Sequence, residues 1–199
     1  MVACDSHQWL SRPGTVGRPV PSASIEIVDD TGKPVAAGVI GEIYACRLDT
    51  PGFSYINRPD ETASSHCGPR VSTGDLGYFD EEGYLYLCDR KRDMVISGGV
   101  NIYPAEIESV LQTMAGVHDC AVFGVPSEEF GESLLAVIEL QEGVHLSADA
   151  VQDYLRQHLA SYKVPRRIEF RRDLPREDSG KIFKRRLREP YWQGHQSRI

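Results

Sequence analysis

Cysteine is scarce in this chain, and its spacing argues against a metal centre. Five cysteines occur among 199 residues, at positions 4, 46, 67, 88 and 120. Their number is odd and no two have Cys-x-x-Cys spacing, so neither a zinc site nor a disulfide framework is predicted. We expect no metal site in this chain, and a reducing compartment, the cytoplasm, as its location.

Long apolar runs are also absent. No stretch is apolar over the roughly 20 residues that a bilayer-spanning helix needs, so no transmembrane segment is expected. The N-terminus shows neither the basic region nor the apolar region of a signal peptide, and none is predicted. With 41% hydrophobic and 26% charged residues, the composition is typical of a globular protein and not of a disordered one.

Charge is distributed unevenly along the chain. The net charge is -7, yet residues 163–188 carry 11 bases and 4 acids. A basic segment of this kind can contact phosphates, nucleic acid or an acidic surface. The charge is the only feature that supports nucleic-acid binding, because the sequence has no aromatic platform and no recognised nucleic-acid-binding motif. We therefore expect no nucleic-acid partner.

The first part of the chain is predicted to be rich in β-structure. Residues 24–28 and 41–46 have the pattern of strands, and residues 76–88 that of a hairpin around an Asp-Glu-Glu-Gly turn. Residues 1–22 resemble an irregular lead-in and residues 57–70 a polar loop. These strands are few and short for a closed domain, which predicts the edge of a larger β-structure.

The pattern changes after Asp93 to the order β-α-β-β-α-β, which predicts a compact α+β domain over about residues 93–175. A small hairpin surrounds Gly98-Gly99, Pro104 suits the first turn of a helix, and Ser147 is a plausible N-cap of a second helix. The other expected elements are strands at 119–125, 134–140 and 168–170.

Asp75 and Arg90 are candidate nucleotide ligands. A carboxylate next to Gly74 can approach a ligand closely and accept hydrogen bonds from two vicinal ribose hydroxyls. The hairpin can return Arg90, a rigid multiple donor, to the side of Asp75. The alternatives are a simple Thr73-Gly74-Asp75 turn and a surface ion pair of Arg90 with Asp89 or Asp93; for each residue alone, the alternative is favoured.

Lys181 and the loop at residues 97–99 are candidates for a second kind of chemistry. Lys181 follows Gly180, so it can bring a point charge to a phosphate and a carboxylate, or it is one more cation in a basic run. Gly98-Gly99 is either a tight turn or a bare wall beside a narrow channel, where Ser97 can bond an amide-bearing arm such as pantetheine.

Several weak motifs occur in one fixed order along almost the whole chain. They are Gly41-Glu42-Ile43, Gly52-Phe53 with Pro59 and Thr62, Thr73-Gly74-Asp75, residues 89–93, residues 97–104, Tyr162-x-Val164-Pro165 and residues 174–182. This order resembles the C-terminal portion of acyl-CoA synthetases, the AMP-forming acid–CoA ligases of the adenylate-forming superfamily. The spelling of residues 97–104 looks most like the fatty-acyl and related CoA ligases of lipid metabolism.

The resemblance implies a role for each matching residue. Asp75 and Arg90 hold the ribose of ATP or AMP, and Arg92 is the hinge between two domains. Lys181 is the catalytic lysine that contacts ATP during adenylation. Ser97, Gly98 and Gly99 form the CoA-side loop after the small domain rotates.

The resemblance also implies a domain organisation and a set of ligands. Residues 1–91 correspond to the C-terminal edge, or β subdomain, of a large AMP-binding domain, and residues 92–199 to a mobile C-terminal domain. The implied fold is a β-rich fragment followed by a small α+β domain. The small molecules are a carboxylic acid, ATP or AMP, and CoA; Mg²⁺ is expected in the full enzyme, with its ligands outside this chain.

The chain departs from the family in several places. Glu177-Asp178 replaces a Thr and a neutral residue and adds negative charge near Lys181, residues 44–51 diverge, and Phe53 replaces a Tyr. No Ser/Thr/Gly-rich phosphate loop and no acyl pocket are found within the sequence. We therefore expect the isolated chain to be inactive without an N-terminal domain as its partner.

Two hypotheses follow. The chain is part of an ATP-dependent acid–CoA ligase, or it is a non-catalytic remnant or regulatory module of the same fold. A test of the isolated chain for acid-dependent pyrophosphate exchange, with and without a separate N-terminal domain, distinguishes them.

Overall fold

A computed structural model describes residues 1–195 and divides the chain into two compact units, the first ending at Lys91 and the second beginning at Arg92. The last four residues of the predicted domain at 92–199 lie outside the described residues. No helix within the described part is long and apolar enough to cross a membrane. The α+β class is confirmed, with a β-rich first unit and a mixed second unit.

The first unit is built on one antiparallel sheet. Its strands are β1 (Val2–Ala3), β2 (Thr15–Pro19), β3 (Ala23–Val28), β4 (Gly41–Arg47), β5 (His66–Cys67), β6 (Arg70–Phe79) and β7 (Leu85–Arg90), with helices α1 (Ser6–Ser11) and α2 (Pro59–Ser64). The sheet order is β1-β2-β7-β6-β4-β3, and β5 pairs with β6. A small core of Ile27, Ile43 and Leu85 lies on this sheet.

The predicted hairpin between β6 and β7 is confirmed, and its turn has a clear chemical cause. Asp80 Oδ1 accepts hydrogen bonds from the backbone N–H groups of Glu82, at 3.0 Å, and Tyr84, at 2.8 Å. Gly83 has φ +81°, a conformation that favours glycine. The turn therefore closes on its own residues, and it sets the register of β6 and β7 as far as the pair Gly77 and Leu87, beyond which the register shifts by one residue.

Three predictions for this unit were wrong. Residues 1–22 are not an irregular lead-in, because they contain β1, α1 and β2. Residues 57–70 are not a loop, because they contain α2 and β5. The extra strands give a seven-stranded sheet with its own core, so the strands are not too few for a compact unit.

The sequence of residues 1–22 contains a local signal for α1 in the spacing of Asp5 and Gln8. Asp5 Oδ1 accepts a hydrogen bond from the backbone N–H of Gln8 at 2.8 Å, and the Gln8 side chain accepts one from the backbone N–H of Asp5 at 3.0 Å. This reciprocal pair is a capping box, and it satisfies donors that the start of a helix leaves free.

The second unit surrounds a long hairpin. Its elements are β8 (Val95–Ser97), β9 (Val100–Ile102), α3 (Pro104–Leu111), β10 (Val117–Ser127), β11 (Gly131–Leu140), α4 (Ala148–His158), β12 (Arg167–Phe170) and α5 (Lys184–Trp192). Strand β11 pairs antiparallel with β10, parallel with β12, and with β8 at Gly131. Pro104 begins α3, and Ser147 caps α4 by accepting a hydrogen bond from the N–H of Ala150, as predicted.

Both faces of the β10–β11 hairpin are buried. Side chains alternate between faces along a strand, so Val122 and Ala136 face one core while Ala121 and Leu135 face the other. The first core includes α3 and α4, and the second includes α5. Strands buried on both faces explain why residues 119–125 and 134–140 are apolar at nearly every position.

The compact domain extends further than the predicted end at residue 175. Leu187 of α5 is 1% exposed and packs in the second core with Leu174 and Phe123. The basic residues around Leu187 conceal this helix in the sequence, because Lys184, Arg185 and Arg186 suggest a solvated tail. Tyr191 packs against the same core, and Trp192 Nε1 donates to the carbonyl of Gly124 at 3.0 Å, so several contacts fix α5 to the sheet.

Cys120 provides a test of the first core. It is 3% exposed, and burial raises the pKa of its thiol to about 12, with a smaller contribution from the nearby carboxylate of Glu108. A folded-state pKa above that of the unfolded chain, about 8.5, favours the protonated folded form. The resulting stability is complete below about pH 8.5 and is lost as the pH rises toward 12. We expect the free energy of unfolding, measured in urea, to fall over this range by less in Cys120→Ala than in the unchanged chain.

Cys46→Ala is the matched control, since Cys46 is a half-buried thiol of the first unit. It should keep the pH slope of the unchanged chain. Equal slopes in the unchanged chain and in Cys120→Ala would contradict the burial of this thiol, as would alkylation of Cys120 as fast as Cys46 in the folded protein.

Candidate functional site

The hairpin of the first unit brings Asp75 and Arg90 together. They are direct partners in the register of β6 and β7. Side chains of directly opposed residues lie on the same face of a sheet, about 5 Å apart at Cβ. Asp75 is half-buried and Arg90 is exposed, and within residues 1–195 neither side chain makes a hydrogen bond or ion pair with another residue. An acceptor and a donor are therefore adjacent and available to a ligand.

Thr73-Gly74-Asp75 is not a turn, because it lies inside β6. Gly74 has φ +75°, and the pairing register with β4 shifts between Tyr44 and Glu42. Such an irregularity redirects the side chain that follows it. The backbone N–H of Asp75 donates to Thr73 Oγ1 at 3.2 Å, so the strand's own hydroxyl holds the backbone and leaves the carboxylate free.

Glu42 is a site residue to which the motif analysis assigned no role. Its side chain is 13% exposed, and it accepts hydrogen bonds from Ser72 Oγ and from Lys91 Nζ, the latter at 2.6 Å. The hydrogen bond to Glu42 raises the pKa of the Lys91 ammonium. Glu42 thus ties β4 to the residue before Arg92. In the sequence, the Gly41-Glu42 motif was the signal that could have identified Glu42 as a site residue.

Arg92 lies at the boundary between the two units, in a short 3-10 turn formed by Lys91–Asp93. Its side chain is 63% exposed, and its Nε lies 4.0 Å from Asp93 Oδ2. An exposed pair at this distance contributes little to stability. Its role as a hinge stays a prediction.

Gly98 and Gly99 form the two-residue turn between β8 and β9, with φ values of +57° and +81°. Positive φ at both positions is what a type I′ hairpin turn requires. The N–H of Gly98 donates to the carbonyl of Phe130 at 3.0 Å, which fixes the turn beside the β10–β11 connection.

A cleft of about 390 Å³ opens beside this turn. Ser97, Gly98, Phe130, Tyr162 and Arg166 are among its lining residues. The Arg166 guanidinium lies over the Phe130 ring, 4.1 Å from its centroid, and its Nη1 lies 3.8 Å from Glu129 Oε2. The sequence analysis assigned no function to the motif Tyr162-x-Val164-Pro165. In the structure, Tyr162 lines this cleft.

Lys181 follows a tight turn at the tip of a second hairpin. The N–H of Glu177 donates to the carbonyl of Lys181, and the N–H of Gly180 donates to the carbonyl of Glu177, each at 2.8 Å. The backbones of Arg176 and Ile182 pair as an isolated antiparallel β-bridge. Gly180 has φ +83°. Lys181 is exposed, and its ammonium makes no ion pair or hydrogen bond with any described residue.

The two candidate loops of the second unit belong to opposite ends of the β10–β11 hairpin. Ser97 pairs with Gly131, at the closed end. The Lys181 hairpin is bound at Asp119, which pairs with Glu139 at the open end. The stretch of β10 between Asp119 and Ser127 is roughly 26 Å long at about 3.3 Å per residue. Over residues 1–195 no cluster of His, Cys, Asp or Glu suits a metal ion.

Gly98→Ala tests the turn beside the cleft. A left-handed conformation costs an alanine about 1–2 kcal/mol, and a Cβ at position 98 also lies 3.2 Å from Phe130 Cδ1. Gly131→Ala is the matched control, because Gly131 has φ +75° and open space around its Cβ position. We expect Gly98→Ala to lower the free energy of unfolding more than Gly131→Ala; an equal or smaller loss would contradict close packing of Gly98 on Phe130.

Comparison with known proteins identifies relatives of this arrangement. Residues 106–181 match the family model described as the AMP-binding enzyme C-terminal domain. The chain is 39% identical over 186 residues to a long-chain-fatty-acid–CoA ligase of Bacillus subtilis, covering 93% of this chain and 33% of that protein. It is 41% identical over 181 residues to a 2-succinylbenzoate–CoA ligase of Geobacillus kaustophilus, covering 90% of this chain and 36% of that protein.

A solved structure shows the same relation. The o-succinylbenzoate CoA synthetase MenE of Bacillus subtilis, in complex with an acyl-adenylate intermediate, superposes with a TM-score of 0.85 at 35% identity. The match covers 94% of this chain and 38% of that chain. The chain therefore spans about a third of the length of the relatives that it matches. These matches confirm the resemblance inferred from the motifs.

Proposed function

We propose that this chain, which is similar to the C-terminal portion of AMP-forming acyl-CoA synthetases, acts within an ATP-dependent acid–CoA ligase. In this reaction a carboxylate attacks ATP to give an acyl-adenylate and pyrophosphate. The CoA thiol then attacks the acyl carbon and releases AMP. The proposed assignment places residues 1–91 at the edge of a large AMP-binding domain and residues 92–199 in a mobile C-terminal domain.

One observation carries the proposal: the two candidate loops belong to opposite ends of one rigid hairpin. A single active site that runs two half-reactions in turn needs two sets of groups. A rigid body with one set at each end can present either set by rotation about a hinge. Arg92, in the turn at the unit boundary, is the proposed hinge.

Lys181 is the proposed catalytic group of the first half-reaction. An exposed ammonium without a partner among the described residues is available to the carboxylate and α-phosphate oxygens. Negative charge accumulates on the nonbridging α-phosphate oxygens as the pentacoordinate phosphorus forms, so a fixed cation beside them stabilises the transition state more than the bound substrates.

Asp75 and Arg90 are the proposed ribose ligands in both half-reactions. Their facing positions fit a vicinal diol, since the carboxylate accepts from the hydroxyls and the guanidinium donates to hydroxyl or phosphate oxygens. AMP is part of the leaving group in the second step and of the product in the first. A ribose clamp is therefore needed throughout.

The loop at residues 97–99 is the proposed CoA-side element. Glycine at both turn positions keeps the backbone bare beside the adjoining cleft of about 390 Å³. Arg166 at its rim is exposed and only loosely paired with Glu129, at 3.8 Å, so its guanidinium can bind an anionic ligand such as CoA.

The proposal does not specify which carboxylic acid is the substrate. The two curated relatives carry names of different acids, a long-chain fatty acid and 2-succinylbenzoate, at similar identity. The proposed partners are a carboxylic acid, ATP, CoA and an N-terminal domain, with Mg²⁺ bound outside this chain. The cytoplasm is the proposed location, because the odd number and the spacing of the cysteines suit a reducing compartment.

Lys181→Ala separates the two half-reactions. The enzyme for this test has an adenylate-forming N-terminal region preceding the chain. We expect acid-dependent ATP–pyrophosphate exchange to fall by about 10²–10³-fold, because an electrostatic stabiliser is removed. Thioester formation from supplied acyl-adenylate should be preserved. Lys33→Ala, at another exposed lysine, should leave both rates unchanged, and equal loss of both half-reactions in Lys181→Ala would refute the division.

Asp75→Ala should affect both half-reactions. Loss of a charged hydrogen-bond acceptor costs about 1.5–3 kcal/mol, so the Kd for AMP should rise about 10–100-fold. Glu81→Ala is the control, because Glu81 is an exposed carboxylate in the turn at the other end of the same hairpin. Titration of AMP by calorimetry measures both variants. Equal affinities for the two variants would remove Asp75 from the site.

The alternative is a non-catalytic module of the same fold. The acids Glu177 and Asp178 beside Lys181 favour it, because they weaken a positive field meant for phosphate. Pyrophosphate exchange by the 199-residue chain, alone and with a separate N-terminal domain, decides between the two. We expect none from the chain alone and activity from the pair; none from the pair favours the module.

A further inference from the structure

We propose that Arg176 is a positioning residue that holds the Lys181 turn in place for adenylation. This inference rests on the proposed role of Lys181. Arg176 is not itself placed against substrate; it acts through the backbone of the turn. The guanidinium joins two elements: Nη1 donates to the carbonyl of Gly180 at 3.1 Å, and Nη2 pairs with Asp119 Oδ2 at 2.6 Å.

Asp119 is a firm attachment point. It lies in β10 next to a shift in pairing register, and its side chain is 20% exposed. Its Oδ1 accepts a hydrogen bond from the N–H of Cys120 at 2.9 Å, while Oδ2 binds Arg176. Both carboxylate oxygens are engaged, and the neighbouring Cys120 belongs to the buried core. The carboxylate is therefore fixed relative to the rigid hairpin.

The geometry requires arginine. Two nitrogens of one planar group bind two acceptors on different elements, and the plane fixes the angle between them. A lysine at this position has one nitrogen on a flexible stem and reaches either acceptor with less constraint. Because Gly180 immediately precedes Lys181, fixing the Gly180 carbonyl also fixes the Cα of Lys181 and the direction in which its side chain leaves the backbone.

The ion pair also affects the charge at the turn. Arg176 is neutralised by Asp119, so it does not compete with Lys181 for an anion. The far side of the turn is held independently, because Lys184 Nζ lies 2.8 Å from Glu108 Oε1 of α3. Loss of Arg176 therefore releases one side of the turn and leaves α5 attached, so the unit is expected to fold without it.

The expected consequence is a loss of positioning with the fold intact. A misplacement of about 1 Å in a catalytic group can reduce a rate about 10²-fold. In the enzyme with an N-terminal region, Arg176→Ala should lower ATP–pyrophosphate exchange about 10–100-fold. Thioester formation from supplied acyl-adenylate should change by less than about twofold, since that step uses the other end of the hairpin.

The first experiment needs no activity. In the ¹⁵N-labelled 199-residue chain, backbone order parameters at Ser179, Gly180 and Lys181 should fall in Arg176→Ala from about 0.85 toward 0.6. Arg176→Lys should restore part of the order. Arg172→Ala is the matched control, because Arg172 is an exposed arginine nearby with no partner among the described residues. Unchanged order in Arg176→Ala would overturn the proposal.

The second experiment tests the route through Asp119. Asp119→Ala should reproduce both effects of Arg176→Ala, and the double variant should be no worse than either, since one connection is removed in each case. Additive losses, or equal losses in the two half-reactions, would show a general structural role and overturn the proposal. If the unchanged enzyme fails to adenylate, the proposed function fails, and the order parameters still decide whether Arg176 holds the turn.

Discussion

The pairing of β10 with β11 is the interaction on which the second unit depends. Ten residue pairs align along this hairpin, and the apolar ones among them place side chains on both of its faces. Each face then needs a cover: α3 and α4 supply one, and α5 with Leu174 supplies the other. Burial of apolar area on two sides contributes the larger part of the stability of such a layer. Because the hairpin is packed on both faces, it is rigid along its length, and groups attached at its ends keep fixed positions.

Charge is managed around this rigid body by pairing. The number of basic residues at 163–188 suggests a surface that binds polyanions. Many of these cations, however, have acidic partners. Lys163 pairs with Glu106, Arg176 with Asp119 and Lys184 with Glu108. Each of these pairs joins two elements and leaves Lys181 as a cation without a partner among the residues described. Arg172 also lacks an ion pair among the described residues, so the place of Lys181 directly after the Gly180 turn, and not its free charge alone, distinguishes it.

The sequence predicted much of this fold because local and tertiary preferences agree. Pro104 and Ser147 start helices, and Asp80 and Gly83 close a turn. Apolar runs mark the strands that are buried on both faces. The failures have a common physical cause. The strands β1, β2 and β5 are short and α5 is mostly charged, so each is stabilised by contacts with distant residues that a local pattern does not contain. The capping box at Asp5 and Gln8 was the local signal that was available and overlooked.

By itself, the sequence determined the candidate chemistry: which carboxylate, arginine, lysine and glycine pair occur, and in what order. Motif order is a property of the chain, so it carries family resemblance without coordinates. Only the tertiary structure decided how these groups are held. It placed Asp75 opposite Arg90 by strand register, put the two loops at opposite ends of one hairpin, and attached the Lys181 turn to Asp119 through Arg176. The facing of Asp75 and Arg90 depends on a register shift within the pairing of β6 and β7. The two relations in the second unit join residues tens of positions apart and arise from burial of its two cores, which no single segment encodes.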